Sequence, residues 1–421
     1  MESKLFLILA GGLIFIFFMV LKPMEAFYAY IIVRPIIDRI DILRTKKIIG
    51  SINVLQAIGI VWPIALIVVC FFQGAKFFKH RITNIYLCFL FLCFPSIFIS
   101  ASWIEAFGDW LRLFTMWPIM IFVLHNVKTE DDIEKLFKVI FISSFFPLIQ
   151  FANSFITGET LLKGGLTRYT GGYFHMGPIS FILLLLIPSY LFFMEKSKNL
   201  LIKMLLGLGI LYIIICIYFT YYRSSLIGVF VFFFTYFILK RKFIYSIGLL
   251  FGACLALTMS QFIVERFAPL IEAIKHLPLL LDPLNNTYDK LLSGRFGIWR
   301  RILTSYLYHC KPYNLFFGFG YRVTIGRYVI CPHDDYMNFF FQNGFLAMVS
   351  FIAFLCSALS AGIATISKSS ITTILFSILI ASIIVALSTN YFVSVRVTLY
   401  MGIYIAMLII IQELDKIKEG S

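Results

Sequence analysis

Residues 201–219 read LIKMLLGLGILYIIICIYF and contain a single charged side chain, Lys203. A bilayer core of about 30 Å is crossed by about 20 apolar helical residues, so this stretch predicts a membrane-spanning helix. Similar runs recur along most of the chain and predict about twelve spanning helices of an all-α polytopic membrane protein. The runs are 5–21, 51–72, 84–102, 107–125, 136–157, 177–194, 201–219, 223–240, 243–260, 338–365, 371–390 and 397–412.

The composition of the whole chain supports the same fold class. Of the 421 residues, 61% are hydrophobic and only 14% are charged, and the mean hydropathy is +0.93. A soluble domain of this length could not bury so much apolar surface. We therefore interpret the net charge of +15 as loop charge of a membrane protein, not as a nucleic-acid-binding surface.

Short basic loops predict the orientation. If both termini are cytoplasmic and the number of spans is even, these loops all lie on the cytoplasmic side, as the positive-inside rule requires. They contain Lys76, Lys79, His80, Arg81, Lys196, Lys198, Lys203, Lys240, Arg241, Lys242, Lys368, Lys416 and Lys418. A second group would lie outside and disagrees with the rule: Arg39, Arg44, Lys46 and Lys47.

Two further features complete the expected topology. The first apolar run is followed by Lys22 and Pro23 and not by a small-residue cleavage site, so we expect it to stay as a span. Residues 26–40 are apolar but carry charges in their second half, which predicts an interfacial or re-entrant segment.

The predicted organisation has three parts. Residues 1–260 form the first part of the bundle with about nine helices, 261–337 form one large external loop, and 338–421 supply the last three helices and a cytoplasmic tail. A loop longer than about 15 residues is usually functional. Within it, residues 294–308 predict an amphipathic helix on the membrane surface, because apolar side chains recur there at helical spacing.

This loop is unusually basic for an external segment. Between Asp289 and Asp334 it carries no acidic residue. Its cations are Lys290, Arg295, Arg300, Arg301, Lys311, Arg322 and Arg327. Arginine binds phosphate bidentately and stays charged, so the loop predicts an anion site. The alternative is contact with anionic lipid headgroups.

Other polar residues are expected at the same external rim. Arg112, Arg168 and Arg223 lie near the outer ends of predicted helices. For each alone, snorkelling to the interface is the simpler explanation, and together they favour a site. His333, beside Asp334 and Asp335, suits a general base, because carboxylates orient an imidazole and raise its pKa. The alternative is that one of these aspartates caps the helix that starts at Tyr336.

No pattern predicts a metal or other cofactor. The external histidines lack paired ligand spacing, and there is no Asp-x-Asp pair outside. Two external cysteines, Cys310 and Cys331, bracket the Arg322 stretch and predict a disulfide.

Several motifs together resemble the O-antigen ligase and polymerase superfamily. In chain order they are RPIID at 34–38, RYTGGYFH at 168–175, YYRSSLIG at 221–228, SGRFGIW at 293–299, GFGYR at 318–322 and PHDDYMNFFFQNGFLA at 332–347. The resemblance implies about twelve helices with a large external loop between helices 9 and 10, similar to the GT-C architecture. Where Asp334 follows His333, the family commonly has Asn, and where Tyr222 precedes Arg223 it commonly has Ser.

The resemblance implies a metal-independent glycosyltransferase in a bacterial inner membrane, active on the periplasmic side. Its donor and its acceptor are oligosaccharides linked to undecaprenyl diphosphate, and a chain-length regulator protein is the expected protein partner. The carried-over catalytic residues are Arg223, Arg295 and His333. The substrate-binding residues we expect are Arg112, Arg168, Arg300, Arg301, Arg322, Asp334, Asp335 and Tyr336.

Three functions remain open at this point. We favour a polymerase that joins lipid-linked repeat units, because no additional soluble domain is evident. A ligase that moves glycan to lipid A core or protein differs only in its acceptor. A transporter of the same lipid is the third, although such proteins usually have repeated halves and charge near the midplane.

Overall fold

The computed structural model describes residues 18–40, 47–49, 52–163, 166–173, 175–259, 295–322, 324–325, 328–329, 334–366 and 369–420. The described helices are α1 (Pro23–Ile37), α2 (Val54–Phe72), α3 (Arg81–Cys93), α4 (Ser96–Ile99), α5 (Trp103–Phe114), α6 (Met116–Asn126), α7 (Glu130–Ser143), α8 (Phe145–Thr157), α9 (Met176–Lys196), α10 (Leu200–Phe219), α11 (Arg223–Leu239), α12 (Phe243–Met259), α13 (Arg295–His309), α14 (Pro312–Phe317), α15 (Asp335–Thr365), α16 (Ser370–Ala386) and α17 (Val395–Gly420). Three two-stranded antiparallel hairpins pair β1 (Lys47–Ile49) with β2 (Ile52–Asn53), β3 (Leu161–Lys163) with β4 (Leu166–Arg168), and β5 (Thr324–Ile325) with β6 (Tyr328–Val329).

The chain is an all-α membrane protein that crosses the bilayer several times. Seven described helices are long and apolar enough to span it: Arg81–Ile99, Trp103–Asn126, Glu130–Thr157, Met176–Lys196, Leu200–Phe219, Asp335–Thr365 and Val395–Glu419. Four shorter apolar helices coincide with other predicted runs: Val61–Phe72, Arg223–Leu239, Phe243–Gly252 and Ser370–Ala386. The first predicted run, 5–21, lies almost wholly outside the described residues, and the number twelve stays a prediction.

Local sequence signals fix where several helices begin. The side chains of Thr129, Asn199 and Ser369 accept hydrogen bonds from backbone N–H groups in the first turns of α7, α10 and α16. Each such cap satisfies a donor that the helix itself leaves unpaired and contributes about 1 kcal/mol. These contacts hold the loops at helix ends close to the bundle.

The bundle has a central pair of helices and a peripheral layer. In the apolar part of α9, 89% of residues are buried inside the protein, and in α17 the share is 83%. In α10 it is only 28%. Because all three are strongly apolar, α9 and α17 form the protein core, and we assign the outer surface of α10 to lipid.

One face of the bundle gathers the short basic loops. Lys79 pairs with Glu413 at 2.9 Å and Lys418 with Glu130 at 2.6 Å. Further contacts join Lys196 to Glu134 and Lys240 to Glu195 and Ser370. We call this the basic-loop face; it holds the α2–α3, α6–α7, α9–α10 and α11–α12 connections and the end of α17. These loops meet at one end of the molecule, as the charge pattern predicts.

The segment 26–40, predicted as interfacial or re-entrant, packs within the bundle. Ala26, Phe27 and Ile31 of α1 are fully buried and belong to the main hydrophobic core. The helix contacts α7 and α8. Its charged end therefore lies in protein and needs partners there.

Helix α15 is interrupted at Gly344, where the backbone is not helical (φ 88°, ψ 175°). A Cβ built at this glycine would lie 2.2 Å from the carbonyl oxygen of Phe316 at the end of α14. The segment that follows α14 bonds to α15 just before this interruption. Phe319 N donates to Phe341 O at 2.9 Å, and Gly320 N donates to Gln342 O at 3.0 Å. The GFGYR motif is thus a docking element for α15.

Part of the predicted external loop 261–337 lies outside the described residues, namely 261–294, 323, 326–327 and 330–333. Where an amphipathic helix is predicted at 294–308, the structure has α13. Its apolar side packs on α15, because Ile302 is fully buried with Phe341 and the Tyr306 hydroxyl donates to Phe340 O at 2.8 Å. The helix is therefore anchored to protein.

Candidate functional site

The loop between α16 and α17, residues 387–394, connects several of the predicted site residues. Asp335, fully buried at the start of α15, accepts hydrogen bonds at Oδ2 from Tyr391 N at 2.9 Å and Phe392 N at 2.7 Å. Tyr336 donates its hydroxyl hydrogen to Ile383 O of α16 at 3.2 Å. Asp335 thus holds the start of α15 against the 387–394 loop, and Tyr336 holds it against α16.

Asp334 is the N-cap of α15, in agreement with the alternative reading of this motif. Its Oδ1 accepts from Met337 N at 2.6 Å, and its Oδ2 accepts from Trp299 Nε1 at 2.9 Å. The second bond joins the cap to α13, the helix that carries Arg300 and Arg301. A carboxylate that accepts both bonds ties the start of α15 to α13.

Two of the carried-over catalytic residues lie wholly or partly outside the described part of the chain. Arg295 is the first residue of α13, but its side chain falls outside the described part. His333 also lies outside the described residues, directly before Asp334. Their positions in the chain nevertheless place one at the end of a helix bonded to Asp334 and the other next to it in sequence.

Arg223 is the first residue of α11, and the residue before it contacts the 387–394 loop. The preceding residue, Tyr222, shares a hydroxyl hydrogen bond of 2.7 Å with Thr389 of that loop. Tyr222 also packs over Gly177, at the start of α9. The 387–394 loop therefore contacts the start of α11 as well as the start of α15.

Arg168 ends strand β4 and reaches the start of α9. Its Nη1 donates to the thioether sulfur of Met176 at 2.7 Å, and its Nε is buried with no hydrogen-bond partner among the described residues. A thioether is a weak acceptor, so the guanidinium group is poorly satisfied. The backbone bond from Tyr169 N to Phe219 O, 3.1 Å, holds this hairpin near the end of α10.

Sequence reasoning missed a buried ionic cluster beside Arg168. Arg34 pairs with Asp38 at 3.1 Å and donates to the Tyr30 hydroxyl at 2.8 Å. Arg396, the second residue of α17 and two residues beyond the 387–394 loop, pairs with the same Asp38 at 2.9 Å. Two guanidinium groups thus share one carboxylate. In the sequence, Arg34 is notable only as part of the RPIID motif, and the residues around Arg396 give no indication of a site.

Arg39 adds a further positive charge to this cluster. Its guanidinium group lies against Gly172, where an added Cβ would be 2.8 Å from Nε and from Nη2. Its Nε is buried without a hydrogen-bond partner among the described residues. The next residue, Tyr173, donates to Pro35 O at 2.9 Å and so fixes the glycine turn on the end of α1. The disagreement of Arg39 with the positive-inside rule was the signal that could have identified it.

Arg112 and Arg322 belong to a different, neutral cluster. Arg322 binds Asp109 through Nε at 2.6 Å and Nη2 at 3.1 Å and also contacts Glu105. Arg112 pairs with Asp109 at 2.8 Å. The hydrogen bond and charge of Asp109 raise the pKa of Arg322. Two arginines face two carboxylates here, so the charges of this cluster balance one another.

Two remaining expectations concern metals and disulfides. Within the part of the chain that the structure describes, no group of three or more His, Cys, Asp or Glu side chains is arranged to hold a metal ion. Cys310 is a free thiol whose Sγ donates to Lys311 O at 3.3 Å, so the predicted bond to Cys331 is not formed in this structure. Cys331 itself lies outside the described residues.

Comparison with known proteins does not assign the chain. No protein-family model matches it, and no curated protein matches it.

Proposed function

We propose that this protein is a glycosyltransferase that polymerises lipid-linked oligosaccharides at the face of the membrane opposite the basic-loop face. The donor is a glycan on undecaprenyl diphosphate, and the acceptor is a second lipid-linked repeat unit. The observation that carries the proposal is the surplus of positive charge around the 387–394 loop and the Gly171–Gly172 turn.

The charges make the argument concrete. Five arginines belong to this region: Arg34, Arg39, Arg168, Arg223 and Arg396. The carboxylates near them are Asp38, Asp334 and Asp335. Arg223 is exposed; among the described residues, the other four arginines exceed these three carboxylates by one, before α13 contributes any charge. Buried positive charge is costly unless an anion compensates it, and a diphosphate has the matching sign and geometry.

In the proposed reaction, a hydroxyl of the acceptor sugar attacks the anomeric carbon of the donor. The new carbon–oxygen bond forms as the bond from that carbon to the diphosphate oxygen breaks. The electron pair leaves with the diphosphate, where the arginines stabilise the growing negative charge. The hydroxyl proton passes to His333, which acts as the general base. No metal ion takes part in this scheme.

Asp334 and Asp335 have a positioning role in this proposal. They fix the start of α15 against α13 and the 387–394 loop. Arg112 and Arg322 are left out of the donor site, because their charge is already balanced by Glu105 and Asp109.

The test uses purified full-length protein in lipid vesicles with a lipid-linked repeat unit, alone and with lipid A core. A ladder of products from the repeat unit alone supports polymerisation. A single transfer to the core supports a ligase instead, and translocation of a glycan whose length is unchanged supports a transporter. Either result rejects the polymerase assignment.

The matched variants are arginine to alanine substitutions at two kinds of position. Arg39→Ala and Arg168→Ala should each reduce chain growth at least tenfold, because each removes a guanidinium group from the surplus. Arg112→Ala removes an arginine from the neutral cluster and should leave the rate within about twofold. Equal losses in all three folded variants would reject the donor site.

A further inference from the structure

A cavity of about 280 Å³ opens on the basic-loop face, between the α2–α3 connection and the end of α6. Its lining is Gly74, Ala75, Lys76, Lys79, His80, Ile121, Leu124, His125 and Lys128. The size is close to the lower end of the range for small-molecule sites. The cavity lies at the other end of the bundle from the proposed glycosyl-transfer site and does not depend on that proposal.

The cavity wall is basic and only partly compensated. Three lysines contribute positive charge. Glu413 pairs with Lys79 at 2.9 Å and lies 3.6 Å from His80 Nδ1, and Asp132 accepts from Lys128 N at 3.3 Å. Lys128 donates to the carbonyl oxygen of Leu124 at 2.6 Å. The ammonium group of Lys76 has no polar partner among the described residues. Among the described residues, one carboxylate, Glu413, pairs with side chains of this wall, which carries three ammonium groups and two imidazoles.

Burial and mutual repulsion disfavour the protonated forms of two of these groups. Burial lowers the pKa of Lys128, and the charge of Lys79 lowers it further. Burial also lowers the pKa of His80, with contributions from Lys79 and Lys128 that oppose Glu413. Groups that disfavour each other's charged form are stabilised when an anion binds between them.

Part of the cavity wall is apolar. Ile121 and Leu124 of α6 contribute apolar side chains, while the lysines belong to the connections between helices. An anionic group attached to a small organic portion fits such a wall, because the charge meets ammonium groups and the remainder meets aliphatic carbon.

We propose that this cavity binds a phosphate-bearing anion, the phosphate between Lys76, Lys79 and Lys128 and its organic portion on Ile121 and Leu124. The same chemistry is offered by the headgroup of an anionic phospholipid and by a soluble phosphate compound. Basic pockets between helix ends on a cytoplasmic face recognise such headgroups in general. Binding there ties the α2–α3 connection to α6 and α17.

The experiment measures binding to purified full-length protein in detergent by native mass spectrometry and calorimetry. The probes are phosphatidylglycerol, phosphatidylcholine and inorganic phosphate. The pocket variant is Lys76→Gln with Lys128→Gln, and the control is Lys198→Gln with Lys203→Gln, which removes two exposed lysines of the same face outside the cavity. Thermal unfolding is measured for both to show that they are folded.

We expect saturable binding of phosphatidylglycerol in preference to phosphatidylcholine, weakened about 25-fold in the pocket variant at roughly fivefold per lysine, and unchanged in the control. Binding of inorganic phosphate alone, with the same dependence on the two lysines, supports the site and assigns it to a soluble ligand. Equal weakening in both variants, or no saturable binding of any probe to the native protein, overturns the proposal.

Discussion

Replacing Asp335 tests how the 387–394 loop is held. The side chain is fully buried, and one oxygen, Oδ2, accepts from the backbone N–H groups of Tyr391 and Phe392. Asp335→Ala removes this acceptor from both. Asp335→Asn keeps an oxygen at the same place but removes the charge. The two variants therefore separate the geometry of the contact from its charge.

The expected magnitudes follow from the two bonds. A buried donor that loses its acceptor costs about 1–3 kcal/mol, so Asp335→Ala should lower the free energy of unfolding by about 2–6 kcal/mol. In Asp335→Asn both bonds have a neutral acceptor, so each is about 1 kcal/mol weaker. This loss is offset, because a charge is no longer buried. We expect the asparagine variant to remain within about 1 kcal/mol of the native protein.

The assay is thermal unfolding of the detergent-solubilised protein, combined with chain-growth activity. At roughly 2 °C per kcal/mol for a large chain, a difference of about 4 kcal/mol places the alanine variant about 8 °C below the asparagine variant. Activity should follow the same order. If asparagine is as damaging as alanine to stability, the charge and not the pair of backbone contacts holds the loop, and our reasoning is refuted.

Three further substitutions address other parts of the structure. Tyr222→Phe removes the hydroxyl bond to Thr389 and should cost about 0.5–1.5 kcal/mol in unfolding free energy, with a fall in chain growth. Gly344→Ala introduces a Cβ against the Phe316 carbonyl at a positive φ and should lower the unfolding midpoint by several degrees, at a cost of at least about 1–3 kcal/mol. His80, with a pKa lowered below 6.5, binds no proton in the folded state at a pH where the unfolded chain does. Stability should therefore fall as the pH drops below 6.5, and His80→Gln should reduce that fall.

Each of these has a matched control. Tyr218→Phe changes an exposed tyrosine of α10 and should alter neither stability nor activity. Gly248→Ala lies in α12 with no atom within 4 Å of the new Cβ and should be neutral or stabilising. Unchanged stability in Gly344→Ala, or losses in Tyr218→Phe as large as those in Tyr222→Phe, would contradict the packing described above. An identical dependence of stability on pH in the native protein and in His80→Gln would contradict the role given to His80.

The sequence predicted those features that depend on neighbouring residues. Apolar runs of the right length coincide with α3, α9, α10 and α15, because a helix in lipid satisfies its own backbone and needs only a continuous apolar stretch. The helix at 294–308 and the cap at Asp334 follow from local spacing in the same way.

Contacts between distant residues could not be predicted in this way. Arg322 reaches Asp109 across 213 residues, and Asp335 reaches Tyr391 across 56. Hydropathy periodicity records which side of a helix is apolar, but it does not record which helix lies opposite. The basic residues of the external loop therefore looked equivalent in sequence, although Arg322 is bound to carboxylates of α5.

The partners of each arginine predict that stability and chain growth do not fall together in the alanine variants. Arg322 is held by Asp109 and Glu105, so Arg322→Ala leaves Glu105 without this ion pair and Asp109 with Arg112 alone, and should lower the unfolding midpoint. Arg39 and Arg168 each bury an Nε that has no partner among the described residues, a cost of about 1–3 kcal/mol in the ligand-free protein.

Replacing Arg39 or Arg168 by alanine should therefore leave the midpoint unchanged or raise it while chain growth falls. Adding the lipid-linked donor should raise the midpoint of the native protein and of Arg322→Ala, because a ligand bound only by the folded state stabilises it. The same donor should raise it less in Arg39→Ala and Arg168→Ala. A donor-induced shift of the same size in all four proteins would mean that these guanidinium groups do not bind the diphosphate, however poorly they are satisfied in its absence.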